Sequence, residues 1–297
     1  MIAHALWAAV LTVPTAVMAA SPPATATAAP PPISVMTWNI CASHNTACFF
    51  HGANHQDVAW KVAWYARSLA IKPDVIMLQE FCSGGTGTLE RTLEEKTGRT
   101  WTVRSATIKS SDGTAKTCAR QTGTGASRGN YSIALAVADS APTISEHALT
   151  SPSWYQRRVA LCATIPAKKA RVCGAHLSAG LSYDDHQAGA PFRTKQVREL
   201  MALAANSAGN RPIIGGDLNA RPPGGSGGSA DERAVTVPLY DAYQECDQNG
   251  EVRNGRATHD NGLKLDYLFA PKGTVTDCFV EGRAASSDHK PVYVKVS

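Results

Sequence analysis

The chain has 297 residues, of which 43% are hydrophobic and 18% charged, and a formal net charge of +5. Such a chain can bury one large core or two small ones, and no internal segment is apolar enough to span a membrane, so the expectation is a soluble globular protein. The positive balance leans toward acidic partners such as nucleic acid or anionic lipid heads, but it is too mild to choose between them.

Residues 1–29 stand apart from the fold. "ALWAAVLTVPTAVMAA" is an apolar run of signal-peptide length, and "SPPATATAAPPP" is a Pro/Ala/Thr leader that cannot build a core. The n-region carries His4 but no Lys or Arg; an uncleaved anchor is the alternative, although Pro14 interrupts the run. Export is the expectation, with a secreted, monomeric domain over residues 30–297. In an oxidising compartment an even number of cysteines reads as disulfides, so the eight here predict four bridges. Proximity pairs Cys41 with Cys48, Cys82 with Cys118 and Cys246 with Cys278, while Cys162 and Cys173 fall opposite each other on two alternating runs joined by "PAKK".

Beyond the leader, "ISVMTWNI" reads as a strand ending at Asn39 and "PDVIMLQE" as a second ending at Glu80, with a helix between them over "HQDVAWKVAWYARSLAIKP" that stops at Pro73. "TGTLERTLEEKTG" is a helix closed by Gly98, followed by strands over "TWTVRSATI", "NYSIALAV", "RRVALCATI" and "RVCGAHLS". A long helix over "PFRTKQVRELMALAANSAGN" leads to the strand "RPIIGGDLN", and the Gly-rich "RPPGGSGGSADER" reads as an exposed loop. "LYDAYQE" is helical, and "LKLDYLFA", "TVTDCFVE" and "PVYVKV" are the last strands. No repeat and no second linker interrupts this order.

Polar residues recur where these strands end or begin: Asn39, Glu80, His176, Asp217, Asn219, Asp266, and Asp288 with His289. A single Asn or Asp after a strand is a turn former. The recurrence is what predicts a common site on one rim of a sheet sandwich. By contrast His44, His51 and His55 fit no zinc-ligand spacing and read as a solvated loop, and Lys168 and Lys169 as a hairpin tip.

"TWNI", "LQE", "GAHLS", "GGDLN", "LDYLF" and "SDHKPV", in that order across residues 37–292, resemble the endonuclease/exonuclease/phosphatase superfamily, the metal-dependent phosphoesterases that include deoxyribonuclease I, exonuclease III, sphingomyelinases and inositol polyphosphate phosphatases. The resemblance implies a four-layered α/β sandwich, two packed mixed β-sheets flanked by helices. It implies that Glu80, with Asn39 and Asp288 nearby, holds Mg2+, or else Mn2+ or Ca2+, because a hard cation takes oxygen ligands. Asp266 would orient His289 to accept a proton from the attacking water, Asp217 and Asn219 would position that water and a phosphate oxygen, and His176 would donate a hydrogen bond to the phosphate.

"RGNYSIALAV" resembles the exonuclease III pattern, which implies that Tyr131 lies against the scissile phosphate, with Arg128 and Asn130 of the same stretch as substrate contacts. "YQRRVALCATI" resembles a deoxyribonuclease I hairpin, which implies a DNA-phosphate contact for Arg157. Cys82 stands where deoxyribonuclease I has its minor-groove arginine. The function expected is a secreted Mg2+-dependent phosphodiesterase acting as an endonuclease, with DNA favoured as substrate. A sphingomyelinase-like phosphoesterase is the rival, for which Phe49 and Phe50, or Trp154 and Tyr155, would be exposed membrane-wedging aromatics. A binding protein without activity would require a gap in the constellation, and there is none.

Overall fold

Alternation along each strand sets which side it buries. In β1 (Ile33–Asn39) Ile33 and Val35 face one way and Met36 and Trp38 the other, and all four are buried, so the strand is covered on both faces. The same holds for β2 (Val75–Cys82), where Val75 and Met77 oppose Ile76 and Leu78, and for β4 (Tyr131–Ala138), where Tyr131, Ile133 and Leu135 oppose Ala134 and Ala136. The structure is a computed structural model that describes residues 29–297 except 69, 249 and 283–285, together with residues 1, 2 and 4. The expected signal peptide therefore falls outside the described residues.

The remaining strands are β3 (Trp101–Thr107), β5 (Thr143–Ala148), β6 (Val159–Ile165), β7 (Ala170–His176), β8 (Arg211–Asp217), β9 (Gln244–Glu245), β10 (Asp266–Ala270), β11 (Val275–Val280) and β12 (Val292–Val296). They form two six-stranded mixed sheets, ordered β11-β12-β1-β2-β4-β3 and β5-β6-β7-β8-β10-β9. Each sheet holds one parallel pair, β1 with β2 and β7 with β8. A parallel pair needs a crossover, and helices α1 (His55–Ser68) and α3 (Pro191–Ala205) supply them. Asn54 starts α1 by accepting the Asp57 N–H at 2.8 Å, and α2 (Thr86–Thr97) stops at Gly98, whose φ of 69° suits glycine. Two short helices, α4 (Ala230–Ala234) and α5 (Val237–Ala242), complete the chain.

Three buried clusters separate four layers. Met36, Trp38, Val58, Val62, Leu89 and Leu93 fill the space between α1, α2 and the first sheet. Val35, Met77, Leu135, Val172, Ile213 and Val294 lie between the sheets, and Ala175, Val197, Leu200, Ile214, Tyr240 and Phe269 between the second sheet, α3 and α5. The fold is thus the four-layered α/β sandwich. Across the middle, Met77 seats against Gly174 and Gly215, where an added Cβ would lie 2.8 Å from the Met77 Cε in the case of Gly215. Among the described residues, no helix is long and apolar enough to cross a membrane.

All four expected disulfides form: Cys41–Cys48, Cys82–Cys118, Cys162–Cys173 and Cys246–Cys278. Cys41 stands two residues past Asn39, the end of β1, and Cys82, two residues past Glu80, is itself the end of β2. The Cys82–Cys118 bridge spans 36 residues and limits the unfolded chain accordingly. Replacing both of these cysteines by alanine is expected to lower the unfolding free energy by about 3 to 4 kcal/mol, read from the denaturant midpoint.

Asp74 ties four segments together. Its carboxylate accepts from the Ser34 N–H at 3.0 Å, from Arg99 at 2.7 Å and from Lys168 at 3.2 Å. Lys168, expected as a free hairpin tip, thereby bridges the two sheets. Burial opposes the Asp74 charge, but the Ser34 N–H and the two cations outweigh it and hold the carboxyl below its usual range. A depressed carboxyl stabilises the fold above its unfolded pKa and loses that contribution as pH falls through the folded value. Asp74→Asn should therefore destabilise by about 2 kcal/mol at neutral pH and flatten the acid limb of the stability profile below pH ~4, measured by urea unfolding at several pH values.

Three elements depart from the sequence reading. β5 was not anticipated because it is an edge strand, paired only with β6, whose mostly exposed "TISEHA" lacks a buried face. The Gly-rich stretch contains α4, capped by the Ser229 hydroxyl on the Glu232 N–H. "LYDAYQE" splits into α5 and the two-residue β9.

Candidate active site

Strand register places the polar side chains. His176 is paired with Asp217 across β7 and β8, and Asp266 with Asp217 across β10 and β8, so three side chains line up at one end of the second sheet. Asn39 ends β1 opposite Gln79 in the first sheet, and the next residue, Glu80, sits at a break in the β2–β4 register with φ 55°. A non-glycine residue in the left-handed region is strained. Here the bulge turns the carboxylate to the sheet end. Gly216 has φ 126°, and any Cβ there would strike the Ala175 carbonyl, so the approach to Asp217 admits glycine alone.

The segment before β12 is fastened onto this end. The Ser287 hydroxyl donates to the Asn39 carbonyl at 2.7 Å and accepts the His289 N–H at 3.0 Å, and the Trp38 indole N–H donates to the His289 carbonyl at 3.0 Å. His289 is thereby held against Asp266, with Nδ1 and Oδ2 2.7 Å apart, and its Nε2 lies 3.8 Å from Asp217 Oδ2. Asn39 donates to the same Asp217 oxygen at 3.0 Å, the Asn219 backbone N–H binds the other at 3.0 Å, and His176 Nε2 lies 3.5 Å away. Asp217 is the hub of the cluster.

Its electrostatics follow from burial in close company. Burial alone would lower the His289 pKa, but the Asp266 and Asp217 carboxylates outweigh it and push it up to about 10. Burial pushes Asp217 up to about 7, with Asp266 adding to the effect and His289 opposing it. His176 goes the other way, well below its ordinary value, through burial and then the nearby Arg158, His289 and Lys116. A neutral imidazole has one N–H. With the proton on Nε2, His176 donates toward Asp217 and its Nδ1 accepts the Tyr131 hydroxyl at 3.3 Å; burial keeps that hydroxyl protonated.

These side chains open onto a cleft of about 440 Å³. Of the residues singled out in the sequence, Asn39, Glu80, Tyr131, His176, Asp217, Asn219, Asp288 and His289 line it, and Asp266 lies fully buried behind His289. Three others are not among the lining residues. Arg128 is 1% exposed and donates to the Ala42 carbonyl at 2.8 Å. Asn130 binds Ser83 through its backbone N–H at 2.8 Å. Arg157 donates to the Ser111 carbonyl at 2.7 Å and lines a neighbouring groove with Lys109.

Arg158 enters the cleft instead. It is buried, its NH2 pairs with Asp184 at 3.0 Å, and its Nε and NH1 have no partner. Arg157 and Arg158 both line the neighbouring groove, and of the two Arg158 also lines the cleft. Lys116, His44, Ser43, Tyr155, Tyr183 and His259 also line the cleft from loops that carry no periodic signal. His44 is exposed in its loop, as expected, and its ring lies 6.0 Å from that of Tyr131.

The donor set suits a hard divalent cation. The Glu80 carboxylate accepts only from the Ser43 hydroxyl at 2.8 Å and Asn39 Nδ2 at 3.4 Å, and among the described residues no Lys, Arg or His pairs with it. An unpaired carboxylate in the same cleft as the Asp288 carboxylate offers the oxygen chemistry that such an ion takes, whereas the Asn39 amide turns its Nδ2 toward Glu80 and its Oδ1 accepts the Cys41 N–H at 3.0 Å. Asp217, Asp266 and His289 also bring ligand-type atoms within 4.8 Å of one another, but the His289 Nδ1 is already committed to Asp266.

Comparison with known proteins gives one consistent picture. The sequence matches the Endonuclease/Exonuclease/phosphatase family over residues 36–289. No curated protein sequence matches the chain. Among solved structures, the human Nocturnin catalytic domain with bound sulfate anion is similar at 18% identity and a TM-score of 0.62, with 90% of this chain and 93% of that one covered. TDP2 of D. rerio, complexed with single strand DNA product, is similar at 16% identity and TM-score 0.57, covering 90% and 99%. The 3'-5' exonuclease NExo from Neisseria meningitidis is similar at 15% identity and TM-score 0.54, covering 89% and 100%. At these identities the likeness is one of fold.

Proposed function

Because the chain belongs to the endonuclease/exonuclease/phosphatase family, whose members hydrolyse phosphoester bonds, we propose that it is a secreted, Mg2+-dependent phosphodiesterase that cuts nucleic acid. The observation that carries the chemistry is the convergence of Asn39, His176 and the Asp266–His289 pair on Asp217, beside the unpaired Glu80 carboxylate. His289, oriented by Asp266, takes the proton of a water held between it and Asp217, and the water attacks phosphorus in line. Arg158, with Nε and NH1 unused, and the neutral Tyr131–His176 pair meet the phosphoryl oxygens as negative charge gathers on them. Glu80, Asn39 and Asp288 would hold the divalent cation. When bound, it supplies charge neutralisation to the phosphoryl and leaving oxygens and, as a nearby positive charge, draws the His289 pKa back toward neutrality.

Nucleic acid is favoured by the cleft's own cations, Arg158 and Lys116, by the net positive charge, and by similar structures that include TDP2 with single strand DNA product and a 3'-5' exonuclease. Secretion is supported by four disulfides and by the apolar leader, and we assign residues 30–297 to one monomeric catalytic domain. Of the aromatics the lipid-directed alternative calls on, Phe50 is 1% exposed in the core, while Phe49 at 70% and Trp154 at 47% face solvent. The deciding experiment incubates the purified, oxidised protein with plasmid DNA, RNA and sphingomyelin in Mg2+, beside an Asp217→Ala control. Nicking of plasmid that salt weakens and the substitution abolishes supports the proposal; release of phosphocholine with plasmid intact overturns it.

A further inference from the structure

We infer that one wall of the cleft, built by Tyr155 and Tyr183, stacks an unpaired nucleobase next to the reacting phosphate, so that the preferred substrate is single-stranded nucleic acid. This deepens the nuclease reading and rests on it. The two rings lie 5.0 Å apart at 54°, and both line the cleft that holds His176, Asp217 and His289. Tyr183 is 52% exposed and the adjoining Leu181 48%, an open apolar surface beside an otherwise polar site. Aromatic faces of this kind accept any base, because every base has a π-face.

The wall is rigid and set in register with the phosphate end. Tyr155 comes three residues before Arg158, and Tyr183 directly before Asp184. The Arg158–Asp184 ion pair at 3.0 Å therefore clamps the two tyrosine-bearing loops to each other. Asp184 also closes its own loop, accepting the Ala179 N–H at 2.7 Å, while the Asp184 and Asp185 N–H groups donate to the Leu181 and Ala179 carbonyls at 2.9 Å each. The guanidinium that lines the phosphate end of the cleft is thus the group that fixes the aromatic wall, and a preformed wall saves ordering entropy on binding. A base that lies on the tyrosines has left its own helical stack, which a single strand allows at far lower cost than a duplex.

The test compares a thymidine oligonucleotide with one of equal length in which tetrahydrofuran abasic units replace the nucleosides. Wild-type kcat/KM should be about 5- to 100-fold higher on the thymidine strand, the span expected for stacking one base. The Tyr155→Ala/Tyr183→Ala double variant should lose that preference and the Tyr155→Phe/Tyr183→Phe variant recover it, since the ring and not the hydroxyl does the stacking. Equal wild-type rates on both strands, or a double alanine variant that keeps the preference, overturn this inference alone. A wild type that cleaves neither strand overturns the nuclease reading, and this inference with it.

Discussion

His289→Ala should lower kcat/KM for a phosphodiester substrate by about 10³-fold or more, because it removes the proposed acceptor of the water's proton and leaves Asp217 and Asp266 as facing buried carboxylates. Asp266→Asn is the sharper companion. It keeps the shape of the site but removes the carboxylate 2.7 Å from Nδ1, the strongest of the groups that lift the imidazole pKa. The sign is fixed: a neutral amide no longer favours the imidazolium, so the pKa falls and the rising limb of the pH–rate profile moves to lower pH. The maximal rate falls as well, since the amide stabilises the imidazolium less as it forms. A profile for Asp266→Asn that superimposes on wild type would mean that His289 is not the group titrating. Linkage gives a second readout: a histidine raised to about 10 stabilises the fold below its unfolded value near 6.5, and that contribution is lost as pH rises through about 10. His289→Ala should therefore lose more stability at pH ~7 than at pH ~10.5.

Removing the cation should be equally severe. EDTA is expected to silence turnover, and Glu80→Gln to lower it by about 10² to 10³-fold even at saturating Mg2+, because the amide keeps the hydrogen-bonding shape but not the charge. A measurement independent of activity distinguishes loss of metal from loss of fold. Metal that binds only the native state stabilises it by about 2.7 kcal/mol at a hundredfold excess over Kd. Wild type should therefore melt at a higher temperature in Mg2+ than in EDTA, and Glu80→Gln should show little or no such difference. Equal metal-induced shifts in the two proteins would remove Glu80 from the ligand set.

The sequence disclosed the sheet ends better than the loops, for a physical reason. Strands covered on both faces are apolar along their length, so the polar residue that ends one is conspicuous: Asn39 after "ISVMTW", His176 after "ARVCGA" and Asp217 after "RPIIGG". Two disulfides were legible because Cys41 and Cys48 are near in sequence and Cys162 and Cys173 lie opposite in a hairpin; the other two, spanning 36 and 32 residues, followed from pairing the cysteines that remained in chain order. Arg158, just before β6, reaches the cleft through its ion pair with Asp184, a long-range contact that the local pattern of "RR" does not disclose. Tyr183, His44 and His259 lie in loops, where only long-range packing decides what a side chain meets, and Arg128 went into the interior without a carboxylate to announce it. Six ordered motifs were enough for the family because the register of β7, β8 and β10 turns their separation in sequence into adjacency in space.

Met77, seated against Gly174 and Gly215, has a consequence for catalysis although it touches no substrate. Asn39, Glu80 and Tyr131 ride on one sheet, and His176, Asp217 and Asp266 on the other. The lateral offset between the two halves sets how the two groups of cleft residues meet, and Met77, with its sulfur against Gly174 and its methyl against Gly215, acts as the detent of that offset.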